Sequence, residues 1–308
     1  MMDGLLVLDK PVGPTSHDVV ARVRRLLAEP RVGHTGTLDP GASGVLPLVI
    51  GRATRLARFL SGADKSYEAT IQLGTATDSW DSDGRPTGLA CAGPFPDRKT
   101  IEHALDRFRG TFLQQPPAYS AKRIAGTRSH RLARAAASDA TSVPILPAPV
   151  EVTVSALKLL EVDGARVTIR VDCSAGFYVR GLAHDLGEQL GTGAHLAGLR
   201  RVRSGEVTIA DATPLAILER DADAARAAIV PLRQILPGLP GLRLTREGVR
   251  RAGHGLDVGL AHVEAGLDAG AFPAGARALR LLDQDGDLIA VGEPVEESGL
   301  LHPAVVLV

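Results

Sequence analysis

The side chain best placed for covalent chemistry is Asp39, in the stretch VGHTGTLDPGASGVLPLVIGRATRL. Gly33, Gly36, Gly41 and Gly44 surround it, and Pro40 follows it directly. So many glycines predict a loop whose backbone takes special conformations or is approached closely. A carboxylate displayed on such a loop can act as a nucleophile at a sugar carbon. An arginine beside it would favour the ionised form that this needs. An aspartate before Pro-Gly also commonly caps its own turn, and the local sequence leaves both readings open. Tyr67 and Tyr178 are two of only three tyrosines, and each begins a regular element. Such a phenol either packs with its hydroxyl bonded or serves a site. Tyr119, in PPAYSAK, divides between packing and RNA contact in the same way. Arg180, two residues after Tyr178, matters to the chemistry only if it reaches a carboxylate.

Other chemistries are set aside by spacing. Ser79-x-Asp81-x-Asp83-Gly84 half-imitates a calcium loop, but its twelfth position is Ala90, where a bidentate glutamate is needed. An Asp-rich turn is the better account. No GxxxxGK[ST] or GxGxxG occurs. The histidines show no tight metal spacing, and Cys91 and Cys173 are too few and too far apart for a zinc site or a disulfide framework. None of these signatures is present.

These residues need elements to hold them. Leu5–Leu8 reads as a strand, and Thr15-Ser16 opens a helix that buries one face carrying Val19, Val20, Val23, Leu26 and Leu27. Tyr67, Ala69, Ile71 and Leu73 alternate on one strand face. Val152–Leu160 and Arg166–Cys173 pair around Asp163-Gly164, and a helix runs from about Tyr178 to Leu190. Ser129–Ala137 reads as a helix and Pro144–Pro149 as a linker. Leu279–Leu282 and Leu288–Val291 flank Asp285-Gly286, a hairpin signal. PLRQILPGLP, at Pro231–Pro240, suggests a boundary before a small β unit.

At 308 residues and 44% hydrophobic the chain can bury a core, which excludes a disordered protein. The formal charge is zero but unevenly spread: residues 98–134 carry +7 and residues 241–308 carry −4. A local basic patch is what an RNA backbone would feel. No apolar run approaches the roughly 20 residues that span a bilayer, and the N-terminus lacks a basic leader. A soluble cytoplasmic protein is expected.

Six blocks, in order, resemble the TruB-type tRNA pseudouridine-55 synthases. They are GLLVLDKPVGPTSHDVV, the glycine-rich stretch above, KSYEATIQLGTATDSWDSDG, PPAYSAKRIAG, CSAGFYVRGLAHDLG and GAHLAGLRRVRSG. The C-terminal part is similar, more weakly, to a PUA-type RNA-binding domain through DGDLIAVGE. The resemblance implies an α/β (α+β) fold, with a mixed, mostly antiparallel sheet, flanking helices and a small C-terminal PUA-like β-barrel. It implies a catalytic domain over 1–236, with an insertion at about 78–150, and an RNA-binding domain over 240–308. It implies isomerisation of a T-loop uridine of tRNA, with no metal or cofactor, no protein partner and a monomeric enzyme. Carried over by position, Asp39 would be the essential carboxylate, Tyr67 would stack on the base and could move a proton, and Arg180 would pair with Asp39. Tyr178 and Leu199 would shape the pocket, and His34 would contact the RNA loop. Lys10 would support the active-site loop or approach the RNA. Lys122 would bind substrate within the basic segment, and Arg200 with Arg201 would meet phosphates. Removing residues after Gly238 is expected to weaken tRNA affinity more than bound chemistry. The alternatives are a guide-dependent synthase acting on ribosomal RNA and an RNA-folding chaperone or binding protein.

Overall fold

The structure is a computed structural model that describes residues 2–136, 145–264, 272, 275–296 and 298–308. The elements used below are β1 (Gly4–Lys10), α1 (Ser16–Leu27), β2 (Val32–His34), β3 (Ala42–Ile50), β4 (Lys65–Leu73), α2 (Arg98–Leu105), β5 (Gly110–Gln114), α3 (Ser129–Ala136), β6 (Val150–Asp163), β7 (Arg166–Cys173), α4 (Val179–Leu190), β8 (Ala194–Ser204), β9 (Gly241–Arg243), α5 (Arg246–Gly253), β10 (Val258–Gly259), β11 (Leu279–Leu282), β12 (Leu288–Val295) and β13 (Leu300–Val306). Ala137 and Pro144, the far end of the expected α3 and the start of the expected linker, lie outside the described residues. By packing, the chain forms two compact units, one of residues 1–38, 45–61 and 206–308 and the other of residues 39–44 and 62–205.

In the second unit the strand order is β8-β4-β7-β6-β5, antiparallel throughout. Alternation explains it: Ala69, Ile71 and Leu73 of β4 and Val167, Ile169, Val171 and Cys173 of β7 are buried in one core. Leu182, Ala183 and Leu186 of α4 and Ile101, Ala104 and Leu105 of α2 close over that face. On the other side of β8, Ala42, Ser43 and Gly44 pair in parallel with Leu199, Arg200 and Arg201. That pairing requires glycine at position 44. Its φ is +102°, and a Cβ there would lie 2.2 Å from the Arg201 carbonyl oxygen.

Cys173 sits in this core, only 1% exposed, with its thiol donating to the Lys65 carbonyl at 3.7 Å. Burial pushes the thiol up to about 12, from an ordinary value of 9.0. The unfolded chain therefore ionises first as pH rises, and the contribution present below pH 9 is lost on the way to pH 12. Between pH 8 and pH 11 this side chain is expected to cost the folded state about 2–3 kcal/mol. Denaturant titrations at both pH values should show that loss in the parent and its absence in Cys173→Ala. Equal losses in the two would remove the assignment.

In the first unit, α1 starts as the sequence predicts. Thr15 caps it in a reciprocal box with Asp18, and Val19, Val20, Val23 and Leu27 face inward, while Leu26, expected on the same face, is only half-buried. The hydroxyl of Ser16 accepts from the amide of Leu38 at 2.9 Å and donates to its carbonyl at 3.0 Å, fixing the residue before Asp39. The glycine-rich loop is shorter than expected. Val32–His34 pairs with Leu48–Ile50, and β3 already begins at Ala42.

Among the described residues of 240–308, five strands run in the order β9-β11-β12-β13-β10, with α5 against them. The hairpin at Asp285-Gly286 is present, with the Asp283 carboxylate accepting from the amides of Asp285 and Asp287. The sheet is a curled half-barrel: just past its end strands an isolated bridge pairs Leu244 with Val263, and the Glu264 amide donates to the Arg243 carbonyl at 2.8 Å. One face has its own core around Leu242, Leu279, Leu281 and Leu301. The other face contributes Leu288, Val291, Val305 and Leu307 to a cluster with Leu5, Val7, Val45 and Val49. Deleting the residues after Gly238 would therefore strip apolar cover from β1 and β3. A truncation made to compare tRNA affinity with bound chemistry would thus also disturb packing in this unit.

Candidate active site

Asp39 opens a turn closed by the backbone, Ala42 N–H to Asp39 C=O at 3.0 Å. The carboxylate is not spent as a cap for its own turn, and the side chain is 47% exposed. Arg180 reaches it from the first turn of α4, with Nη2 3.0 Å from Asp39 Oδ2. The other arm, Nη1, lies 3.3 Å from Asp81 Oδ2. The guanidinium also donates to the carbonyls of Ser79 at 3.2 Å and Tyr119 at 2.9 Å. One nearly buried planar fork thus spans two carboxylates and two carbonyls. An ammonium, a point charge on a flexible stem, could not satisfy all four.

Each partner is held in its turn. Buried Gln114 clamps the start of α4 by donating to the Tyr178 carbonyl at 2.9 Å and accepting from its amide at 2.8 Å. The Asp81 turn is tied by Thr77 Oγ1 donating to the Asp81 carbonyl at 2.7 Å and by the Leu196 amide donating to the Trp80 carbonyl at 2.9 Å. The segment around Tyr119 is pinned by Ser129 Oγ donating to the Ala118 carbonyl at 2.6 Å and by the His130 amide donating to the Ser120 carbonyl at 3.2 Å.

Asp39, Ala42, Asp81, Arg180, Leu196 and Leu199 line one open cleft. Leu199 stands mid-sheet, opposite Ala42 on one side and Ala69 on the other. Tyr67, half-buried on β4, sits opposite Arg201. Burial pushes its phenol up, Arg201 opposes this, and the Asp39 charge adds to the rise. The Tyr178 phenol is also raised, by burial first, with Ser120 and Arg180 opposing and Asp39 adding. Both tyrosines therefore feel the Asp39 carboxylate, and both are neutral phenols near pH 7.

The remaining expected residues differ in their surroundings. His34 lies in the first unit, edge-on to His17 with ring centroids 5.3 Å apart. Lys10 is fully buried and donates to the carbonyls of Pro11 at 2.9 Å and Pro14 at 2.8 Å. Those bonds tie it to the turn that follows β1. Arg200 is half-buried, with Nη1 donating to Ser43 Oγ at 3.4 Å. Arg201, expected to meet phosphates, is 1% exposed and lies beside Tyr67 instead. Lys122 is half-exposed, and Arg123, Arg128 and Arg131 are exposed around it. Arg98 and Arg109 of the same basic segment are engaged with Glu102 and Asp106.

Sequence reasoning missed Asp81, Gln114 and the buried place of Arg201. The acidic cluster around Asp81 was visible, but nothing local distinguishes a solvated turn from one facing an arginine a hundred residues away. Among the described residues no three His, Cys, Asp or Glu side chains gather as a metal ion would need.

Residues 24–179 match the TruB family pseudouridylate synthase (N terminal domain), and residues 180–237 match the tRNA pseudouridylate synthase B C-terminal domain. A protein of Solibacter usitatus named tRNA pseudouridine synthase B is 43% identical over 312 residues, covering 99% of this chain and 100% of that protein. One of the same name from Symbiobacterium thermophilum is 43% identical over 258 residues, covering 83% of each. Among solved structures, a chain of an H/ACA RNP bound to a substrate RNA containing 2'-deoxyuridine is similar with a TM-score of 0.73 at 26% identity, covering 99% of this chain and 85% of that one.

Proposed function

Because this chain belongs to the TruB family of pseudouridylate synthases, we propose that the cleft at Asp39 is where it isomerises a uridine of tRNA, at position 55 of the T-loop. The protein is a tRNA pseudouridine synthase, an isomerase that breaks the C1'–N1 glycosidic bond of uridine and replaces it with a C1'–C5 bond. No atom is gained or lost. The observation that carries the site is the 3.0 Å pair between Arg180 and Asp39 at the mouth of an open cleft, within electrostatic reach of Tyr67.

A stacked base must leave its loop before its glycosidic bond can be reached, at about a few kcal/mol. Stacking on Tyr67 offsets about 1–3 kcal/mol of that. Asp39 is the essential carboxylate. Arg180 holds it by Oδ2, while Oδ1 has no hydrogen-bond partner among the described residues. Tyr178 and Leu199 shape the pocket, and His34 contacts the RNA loop. Lys122 with its exposed arginine neighbours, and Arg200, meet the T-arm backbone. Residues 240–308 serve as an auxiliary RNA-docking domain. The enzyme works as a monomer in the cytoplasm, without a protein partner. Guide-dependent action on ribosomal RNA is the weaker reading, because the tRNA synthases named above are far closer in sequence than the H/ACA chain.

Purified protein incubated with an unmodified tRNA transcript, without guide RNA, is expected to form one pseudouridine at position 55. Modification elsewhere, or none until a guide is added, would overturn the assignment.

A further inference from the structure

Trp80 is the chain's single tryptophan and stands between the two groups that hold one arm of Arg180, Ser79 and Asp81. Its backbone has φ +65°, a conformation that residues with a side chain seldom adopt. Its indole lies flat on the imidazole of His184, with ring centroids 4.4 Å apart and planes 6° from parallel. His184 follows Arg180 by four residues on α4, so the two side chains stand one above the other on one face of the helix. The 79–81 turn therefore meets the helix at two levels, through the polar contacts of Arg180 and through the aromatic stack. The Nδ1 atom of His184 is buried and has no hydrogen-bond partner among the described residues. The imidazole is thus oriented by its contact with the indole face rather than by a bond at that nitrogen.

We propose that the Trp80–His184 stack is a positioning element for the reaction, registering the 79–81 turn on α4 so that Arg180 stays bridged between Asp39 and Asp81. Rotation of the turn about residue 80 moves the Ser79 carbonyl and the Asp81 carboxylate together, and both act on Nη1 of Arg180. The same guanidinium holds Asp39 through Nη2, so a slip in the turn reaches the reacting carboxylate. Neither ring needs to touch the substrate. The inference rests on the reading of Asp39 and Arg180 given above.

Three variants test it. Glycine accepts the backbone conformation at residue 80, so Trp80→Gly removes the ring without adding backbone strain. Trp80→Gly and His184→Ala are expected to lower kcat on the order of 10- to 100-fold, the scale of a small misplacement of reacting groups. KM for tRNA should stay within about twofold, since binding contacts are untouched. Trp80→Phe keeps a flat ring and is expected to restore kcat to within about threefold of the parent. Fluorescence of the single tryptophan should shift to longer wavelength in His184→Ala, as one face of the indole gains water.

Full kcat in His184→Ala, a loss confined to KM, or no rescue by Trp80→Phe would overturn the inference. His184→Ala carries the decision if Trp80→Gly melts below the assay temperature. A parent protein that makes no pseudouridine would overturn the underlying reading of the site instead.

Discussion

Asp39→Asn is expected to lose turnover by on the order of 10^4-fold or more, the scale seen when a reaction loses a group it cannot replace. The change keeps the shape of the side chain and removes its charge. Affinity for tRNA should stay within about threefold, because phosphate contacts dominate nucleic-acid binding and a carboxylate does not supply them. Folding stability should barely change, since the side chain is 47% exposed and its pairing is partly screened by solvent. Single-turnover pseudouridine formation measured beside filter binding and denaturant unfolding separates the three quantities. An Asn variant that still turns over at a rate near the parent's would remove Asp39 from the chemistry. Activity lost together with RNA binding would place it among the binding groups instead.

Arg180→Lys should behave differently, because it damages both chemistry and fold. The lysine keeps the charge but cannot bridge Asp39 and Asp81 while donating to the carbonyls of Ser79 and Tyr119. Two carboxylates are then left near each other with one flexible ammonium, and buried acceptors lose their donors. Turnover is expected to fall by on the order of 10^2- to 10^3-fold, comparable to removing a preorganised electrostatic group. Stability is expected to fall by about 2–4 kcal/mol, from unpaired buried polar groups and a broken ion-pair network. The comparison of the two variants is the informative measurement: a stability loss in Arg180→Lys and little in Asp39→Asn. Equal stabilities in both, with activity retained in the lysine variant, would reduce Arg180 to a replaceable cation.

The extent to which this site was legible in the sequence follows the range of the interactions that build it. Helix α1 was readable because its cap, its first-turn aspartate and its apolar spacing lie within one dozen residues. Strands β4 and β7 were readable from strict alternation. Asp39 was marked by the unusual density of glycines around it, and Arg180 by its place in a motif that resembles a family. The bridge from Arg180 to Asp81 was not readable, because the Asp-rich turn has an adequate local explanation as a solvated loop. Nor was the burial of Arg201 in LRRVR, where two adjacent arginines look alike as letters. On a strand, neighbours point to opposite faces, and here Arg201 is almost fully buried while Arg200 keeps partial access to solvent. Lys10 shows the same limit, since a lysine before a proline gives no sign that its ammonium will be enclosed by two carbonyls of its own turn.

The apolar cluster shared by the first two long strands and the final sheet bears on how the protein is made. Leu5, Val7, Val45 and Val49 are synthesised early, yet Leu288, Val291, Val305 and Leu307, which cover them, leave the ribosome last. Nearly all of the unit built from residues 39–44 and 62–205 can collapse while translation continues, because its strands and helices are complete once residue 205 has emerged. The other unit must wait for the end of the message, with its early strands in need of temporary cover. A nascent chain of this design completes its middle before its beginning.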